Sequence, residues 1–343
     1  MGKIAAVKSR KGIFFTIISI TLMAIFILIF TPRADITLQK DTQSTKSRIE
    51  SLNNYVNDME TSYFNTVVSA ATYKTILSLA LYENSTHSYL KNIDSGFYEV
   101  MLNGTINGIP IDSVTGKKIM ENNTLTNWSN KIISTARDAY NVNTTISLND
   151  VTIRQTKPFN IDTTLVMNIN VKSNVAEWNI SNLKISTSIS IEGFDDVLYL
   201  VNSDGRTANK IKMSSIAFNQ WSITKVREHL RNGTYVHWEQ SEAPSFLMRF
   251  TNTTTNSSCC GIESLVNPNN LAVPDQIESY VDYQFWNRTF KTQCSLLYNI
   301  TNPSTGGGLW DEFRYFKLDI NHVIKYNITG NDAIKSCSIK VAT

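Results

Sequence analysis

The chain contains four histidines, and their spacing decides whether a metal-dependent hydrolase is a candidate. No two of them stand four residues apart, the spacing at which two histidines on one helix face bind zinc in a metalloprotease. The sequence also lacks the Gly-x-Ser-x-Gly turn of a serine nucleophile and the glycine-rich loop that binds phosphate. We therefore predict no catalytic residue, no cofactor and no metal, and interpret as surface or core residues all four histidines: His87, His229, His237 and His322.

Two pairs of adjacent acids, Asp195-Asp196 and Asp311-Glu312, are the remaining candidates for acid-base chemistry. A glycosidase needs two carboxylates that face each other across a cleft, which neighbours in sequence do not supply by themselves. The same acids with backbone carbonyls would suit calcium, but no Asp-x-Asp-x-Asp-Gly loop is present. We expect solvated loop acids, and we expect that the protein is not an enzyme.

The four cysteines follow one another late in the chain, at Cys259, Cys260, Cys294 and Cys337. An even number confined to an exported region predicts two disulfides, with three possible pairings. A bridge between adjacent cysteines is strained, so the sequence favours bonds from Cys259 and Cys260 to the two later cysteines. Zinc is the alternative, but the usual Cys-x-x-Cys pair is missing.

The sequence also contains twelve Asn-x-Ser/Thr sequons, the acceptor motif for N-glycosylation of exported chains. Their number is a modest excess over chance, because Asn, Ser and Thr are abundant. Glycosylation at several of them is predicted; the acceptors are Asn84, Asn103, Asn122, Asn127, Asn143, Asn179, Asn232, Asn252, Asn256, Asn287, Asn299 and Asn327.

Composition limits the classes of partner. Charged residues make up only 18% of the 343 residues, below the roughly 25% typical of soluble proteins, and Asn, Ser and Thr take their place. The formal charge of +3 comes from four bases near the N-terminus, Lys3, Lys8, Arg10 and Lys11; without them 28 bases stand against 29 acids, a net charge of −1. No basic stripe remains for phosphate, so nucleic-acid binding is not expected.

An uncharged apolar run follows those bases. Residues 13–31 are predicted to form a transmembrane helix, since residues 13–30 would extend about 27 Å as a helix against a hydrocarbon core of about 30 Å. The excess of basic residues before it places residues 1–12 in the cytoplasm and the bulk of the chain outside. A cleaved secretory signal and a buried core helix are the alternatives, and both fit the length and flanks less well.

The letters KGIFF at residues 11–15 resemble the class III signal peptide of archaeal type IV pilin-like proteins. The resemblance implies cleavage between Gly12 and Ile13 and a helix that anchors the subunit and later forms a filament core. Pro32 fits that family, whereas Ile17 stands where many pilins have glutamate. The segments APSFLMRF and CCGIESLVN are similar to those of uncharacterised membrane-anchored archaeal proteins, which implies no activity. An uncleaved signal anchor is the alternative.

The remaining elements follow from hydrophobic periodicity. Residues 32–83 lack Gly and Pro after Pro32 and repeat apolar residues every three or four positions, which predicts a long helical stalk. Strict alternation predicts two adjacent antiparallel strands at 161–171 and 183–191. Further helices are predicted at 125–139 and 222–231, and further strands at 197–201, 245–250, 280–286, 313–320 and 337–341. The aromatic residues Tyr280, Tyr283, Phe285 and Trp286 suit a carbohydrate or partner site, but alternation favours a core strand.

These patterns predict an α+β protein. Its N-terminal transmembrane helix continues into a long amphipathic helix and a mainly antiparallel, sandwich-like β ectodomain stapled by disulfides, divided into parts 84–215 and 216–343. The expected function is a single-pass cell-surface structural or interaction protein, for which the resemblance implies a minor pilin-like subunit with a glycosylated β head. The alternative is a membrane-anchored adhesin or a surface protein that binds a glycan or another partner. Expected partners are the membrane through residues 13–31, other copies or pilin-like subunits, and glycans.

Overall fold

The structure is a computed structural model that describes residues 19–23, 34–267, 281–287, 297–300, 316–328 and 333–335. The chain divides into two units, Met1–Val56 and Asn57–Thr343. The predicted processing site Gly12–Ile13 lies outside the described residues. The segment boundaries given above stay predictions.

A helical run without glycine or proline begins at residue 34. Helix α1 (Ala34–Asp58) passes into one π-helical turn (Met59–Tyr63) and then into helix α2 (Phe64–Thr86). The helix predicted over most of 32–83 is therefore present. It ends where His87 adopts a left-handed backbone with φ 50°, a common helix C-terminus.

The predicted membrane span needs correction. Among the residues that the structure describes, no helix is long and apolar enough to cross a membrane. Helix α1 carries acids and bases along its length, and α2 contains Lys74, Glu83 and a series of Ser and Thr residues. The transmembrane helix predicted at 13–31, and the membrane-anchor and signal-anchor interpretation based on it, are corrected to that extent: the structure describes residues 19–23 of this segment, and no described helix could span a membrane.

Three further helices and a hairpin follow α2. They are α3 (Ile93–Asn103), β1 (Thr105–Ile106), β2 (Ile109–Pro110), α4 (Ile111–Thr115) and α5 (Leu125–Tyr140). The Asn92 side chain caps α3, and the Thr124 side chain caps α5 by accepting the backbone N–H of Asn127. The helix predicted at 125–139 is thus confirmed.

The largest sheet is an antiparallel meander of three strands in the order β3-β4-β5. They are β3 (Asn143–Lys157), β4 (Asn160–Lys172) and β5 (Glu177–Ser190), so the strands predicted at 161–171 and 183–191 are confirmed and β3 was missed. Alternate residues of β4 are fully buried, including Ile161, Leu165 and Ile169. Helix α2 packs on β4 and β5, and α3 and α5 pack on β3.

The rest of the described chain consists of short elements. They are α6 (Val197–Asn202), a 3-10 turn (Phe218–Gln220), α7 (Ile223–Asn232), β6 (Tyr235–Val236), α8 (Phe246–Arg249), β7 (Glu263–Ser264), α9 (Asp282–Trp286), β8 (Leu297–Ile300), β9 (Lys317–Asp319), α10 (Ile320–Lys325) and β10 (Ala333–Lys335). The helix predicted at 222–231 is confirmed. Within the described residues, β1-β2 and β6-β7 pair as two-stranded sheets and β10-β8-β9 as a three-stranded sheet, so the α+β class with antiparallel sheets is correct but the sandwich is not.

Three predicted strands are helices. The segments 197–201, 245–250 and 280–286 contain α6, α8 and α9. Two of these helices have side-chain caps: Asp196 accepts the N–H of Leu198, and Ser245 accepts the N–H of Met248. Helices of four to six residues are too short for periodicity to distinguish them from strands, so caps and tertiary packing decide. The strand predicted at 337–341 lies outside the described residues.

One buried acid on α2, Glu83, accepts a single hydrogen bond and has no ion-pair partner among the described residues. Glu83 is 0% exposed; its Oε1 accepts the backbone N–H of Leu90 at 3.1 Å, and its Oε2 has no hydrogen-bond partner among the described residues. Burial raises the pKa of Glu83 to about 9, although the hydrogen bond from Leu90 lowers it. The carboxyl group is therefore neutral in the folded protein at pH 7.

Replacing Glu83 with glutamine is expected to raise the free energy of unfolding by on the order of 3 kcal/mol at pH 7. The folded state holds a proton that the unfolded chain releases, so stability declines as pH rises from 4.5 through about 9. Glutamine has nearly the same shape as the protonated glutamate and does not ionise in the unfolded chain, so its stability has no such dependence on pH. Urea unfolding at pH 4 and pH 8 should show that the gain in free energy of unfolding grows with pH. Glu239→Gln is the control, because Glu239 is exposed, and it should show no such gain. A gain equal at both pH values would contradict the assignment.

Candidate functional site

Two features concentrate polar chemistry in the second unit: a buried ionic network and the exposed face of the main sheet. The first part of the network surrounds Arg249, which is fully buried at the end of α8. Its Nη1 donates to Asp196 Oδ2 at 2.5 Å and to Asp282 Oδ2 at 2.7 Å, and its Nη2 donates to the carbonyl of Ile262. Tyr235 donates its hydroxyl to Asp196 at 2.8 Å.

The second part surrounds Glu263 on β7. Its Oε1 accepts Trp238 Nε1 at 2.8 Å and the Tyr326 hydroxyl at 3.0 Å, while its Oε2 lies 3.1 Å from His322 Nε2. The other ring nitrogen of His322 lies 2.8 Å from Asp319 Oδ2. The two parts adjoin through the backbone, because Ile262 and Glu263 are neighbours in sequence.

The charges of the network reinforce one another. Burial lowers the pKa of His322, but Glu263 and the hydrogen bonds to both carboxylates outweigh it and raise that pKa to about 10. Burial alone would raise the pKa of Glu263, and the opposing charge of His322 holds it below its usual range. Burial raises the pKa of Asp282 to about 6, against the effect of Arg249. Histidine and glutamate are thus an ion pair at neutral pH.

This network does not resemble a reactive site. The side chains of Arg249, Asp196, Asp282 and Glu263 are all 0% exposed, so no substrate reaches them. In the described part of the chain, no group of three or more His, Cys, Asp and Glu residues could hold a metal ion. We interpret the network as the polar core that fixes the short elements of the second unit relative to one another.

The cysteine prediction needs correction. Cys259 and Cys260 are bonded to each other, and both sulfurs lie 3.4 Å from the carbonyl of Gln155 on β3. The predicted bonds to later cysteines are therefore wrong for these two residues, because each sulfur is already engaged by its neighbour. Cys294 and Cys337 lie outside the described residues. The prediction of an ectodomain held together by two long-range disulfides is corrected accordingly.

The sequons lie mainly on the surface. Asn84 and Asn287 are half-buried, and the side chain of Asn299 lies outside the described residues. The side chains of the other nine are exposed: Asn103, Asn122, Asn127, Asn143, Asn179, Asn232, Asn252, Asn256 and Asn327. Most of the predicted acceptors are therefore accessible.

The second polar feature is the face of the main sheet opposite the helices. Thr152, Thr164 and Ser186 stand side by side across β3, β4 and β5, and so do Arg154, Asp162 and Ser188 in the next row. The hydroxyls of Thr164 and Ser186 are 3.0 Å apart, and Thr156 donates its hydroxyl to Asp162. The guanidinium of Arg154 makes no ion pair in the part of the chain that the structure describes.

A shallow cavity of about 530 Å³ lies at this end of the face, within the size range of small-molecule sites. Six of its eight lining residues carry a hydroxyl group, of which that of Thr187 is buried, and the other two form an acid and a base on adjacent strands. The lining residues are Thr152, Arg154, Thr156, Asp162, Thr164, Ser186, Thr187 and Ser188. We call this cavity the hydroxyl site.

Sequence reasoning missed both features. Asp196 was expected to be a solvated loop acid and is fully buried, and Asp311-Glu312 lies outside the described residues. His229 and His322 are buried, in agreement with a core role, while His87 is exposed and His237 half-buried. Tyr283, Phe285 and Trp286 are buried in helix α9, so they pack in the core as expected, although not in a strand.

A signal for the network was available in the sequence. Arg249 and Asp282 are single charges within apolar runs, SFLMRF and YVDYQFW. A charge in such a run is either exposed at an element end or paired inside the core. Comparison with known proteins found no family model, no curated protein and no solved structure that matches the chain.

Proposed function

We propose that this chain is an exported, non-catalytic interaction protein of the cell surface that binds a glycan at the hydroxyl site. One observation carries the proposal: an exposed, concave surface on a rigid sheet that is lined by hydroxyl groups, one guanidinium and one carboxylate. Hydroxyl groups both donate and accept hydrogen bonds, as sugars do. Residues on strands also hold a ligand more precisely than residues on loops.

Arg154 gives the site a chemical preference. A guanidinium with no ion pair in the described residues offers a planar set of donors that matches a carboxylate or sulfate group. Asp162 is engaged by Thr156 and keeps capacity to accept from a sugar hydroxyl. The ligand we propose is therefore an acidic glycan, whose charged group binds Arg154 and whose hydroxyls meet the Thr and Ser side chains.

Export is supported by two features of the described chain. The Cys259–Cys260 disulfide is typical of oxidising compartments outside the cytosol. Nine sequons have exposed acceptors. Two of these, Asn143 and Asn179, lie at the opposite end of the main sheet, where Asn179 pairs with Asn170. Eight residues separate Asn170 from Asp162 on β4, about 27 Å along a strand, so glycans there leave the hydroxyl site open.

Replacing Arg154 with glutamine is expected to weaken binding of an acidic glycan at least about tenfold, because a charge-assisted hydrogen bond contributes about 1.5–3 kcal/mol. Glycan-array screening of the full chain identifies the ligand, and titration calorimetry then compares the variants. Lys184→Gln is the matched control, since Lys184 is an exposed base on β5 outside the site. Equal affinity of Arg154→Gln and the parent, or no glycan bound on the array, would refute the proposed site.

A second candidate function is that of a subunit that assembles with copies of itself. The observation that favours it is the helical run from Ala34 to Thr86, whose second half carries the sheet, the layout that the pilin resemblance implies. N-terminal sequencing of the exported protein tests it: a first residue of Ile13 supports the subunit, and a retained Met1 excludes the pilin-type cleavage. Electron microscopy then shows whether filaments form.

A further inference from the structure

A second cavity, of about 510 Å³, lies between α3, α4 and α5, and three sequon asparagines line it: Asn103, Asn122 and Asn127. We propose that this cavity binds the first sugars of the chain's own N-linked glycan, which pack into it after the chain has folded. The inference is independent of the hydroxyl site. We call the cavity the sequon cavity.

The three asparagines reach the sequon cavity from different elements. Asn103 is the last residue of α3, and Asn127 lies in the first turn of α5. Asn122 is at a loop tip with a left-handed backbone, φ 58°. All three side chains are exposed. A sugar attached to any of them starts at the rim of the same concave surface, so the occupant is covalently supplied.

The walls of the sequon cavity are built and fixed. The carboxylate of Asp112 accepts the backbone N–H groups of Ile119, Met120 and Glu121 at 3.1, 3.1 and 2.8 Å. Asn123 donates its side-chain amide to the Ile119 carbonyl at 2.8 Å and accepts Lys74 Nζ at 2.5 Å. A loop held by this many hydrogen bonds keeps its shape whether or not the sequon cavity is filled.

The lining suits a sugar. Gly104, Pro110 and Met120 supply apolar surface, and Ser113 and the Lys118–Glu121 ion pair, 3.2 Å apart, supply donors and acceptors. A pyranose ring presents apolar C–H faces and a hydroxyl rim, so it can use both kinds of surface. Gly104 has φ +72°, and a Cβ there would come within 3.1 Å of the Thr124 side chain. A larger residue at this position would therefore crowd Thr124 and fill this part of the cavity.

The covalent step needs an oligosaccharide linked to a lipid phosphate as donor. The asparagine Nδ2 forms a bond to the anomeric carbon, the lipid phosphate leaves with the electrons of the broken C–O bond, and the amide loses one proton. No redox partner is needed. The sequon hydroxyls of Thr124 and Ser129 are only 5% and 6% exposed in the folded protein, and Thr105 donates to Glu99 at 2.8 Å. Transfer therefore precedes folding, and the sugar packs into the cavity once the folded chain has formed it.

Glycopeptide mass spectrometry of the exported full chain should find sugar on at least one of Asn103, Asn122 and Asn127. Replacing the occupied residue with glutamine should then lower the melting temperature by at least about 2 °C and increase hydroxyl-radical labelling of Lys118, whose exposed side chain lines the cavity. Asn143→Gln and Asn232→Gln, which remove exposed sequons outside the cavity, are the matched controls. The same variants made in a host without the glycosyl transferase separate loss of sugar from loss of the asparagine.

Two results would overturn the inference. One is that all three cavity sequons are unmodified in the exported chain, whether or not the control sequons carry sugar. The other is that loss of a cavity glycan changes the melting temperature and Lys118 labelling no more than loss of a control glycan. Neither result bears on Arg154, whose test measures binding of an added glycan at the hydroxyl site.

Discussion

Replacing Arg249 with leucine is expected to lower the free energy of unfolding by about 3–5 kcal/mol. The guanidinium neutralises Asp196 and Asp282, and all three side chains are 0% exposed. Without it, two carboxylates stay buried side by side, and the carbonyl of Ile262 loses its donor. Urea unfolding followed by circular dichroism measures the loss.

Arg206→Leu is the matched control for this experiment. Arg206 pairs with Asp204 at 2.9 Å on the surface, where both side chains are more than half exposed, and such pairs contribute about 1 kcal/mol or less. A further variant, Arg249→Leu with Asp196→Leu and Asp282→Leu, should recover part of the lost stability, because removing all three charges leaves none uncompensated. If Arg249→Leu costs no more than Arg206→Leu, the network does not stabilise the fold.

Replacing Glu263 with glutamine is expected to cost about 3 kcal/mol or more at pH 7. The substitution keeps the shape of the side chain but leaves the buried, positively charged His322 facing an amide in place of a carboxylate. Because the folded-state pKa of His322 is raised from 6.5 to about 10, the contribution of the pair is complete below pH 6.5 and is lost as pH rises through 10. The difference in free energy of unfolding between Glu263→Gln and the parent should therefore become smaller at high pH.

Unfolding free energies at pH 7 and pH 10.5 test this expectation, and NMR titration of the histidine ring protons reports the pKa of His322 directly. That pKa should fall in Glu263→Gln. His87→Gln serves as the control, since His87 is exposed. A destabilisation that is equal at both pH values, with an unchanged pKa, would show that Glu263 acts through packing and not through charge.

The elements that sequence patterns predicted well share one property: each is long and amphipathic. Strand β4 alternates strictly, and α5 and α7 repeat apolar residues at helical spacing between clear end signals. Strand β3 was missed because a register shift between Leu148 and Asp150 breaks its alternation. A bulge adds one residue, so apolar side chains after it change parity in sequence while staying on one face of the sheet.

The candidate sites were harder to predict because they depend on pairing between strands and between distant segments. Arg154, Asp162 and Ser188 form a row only because the meander has this register, and nothing near any of them in sequence indicates it. The ionic network has the same property, with partners from separate short elements. Only the presence of single charges in apolar runs was visible beforehand, and it gives no partner.

The ionic network also governs how the chain reaches its fold. Six of its eight hydrogen bonds join residues 25 to 63 positions apart in sequence, for example Arg249 with Asp282 and Glu263 with Tyr326. Contacts of this separation close late and slow the folding reaction, because loop entropy is lost before any of them forms. Until then the charges stay hydrated, and no fragment that lacks one member can neutralise the others. The short helices and strands between residues 196 and 322 should therefore fold in one cooperative step, and a protease that cuts any connecting loop before that step should leave pieces that do not fold separately.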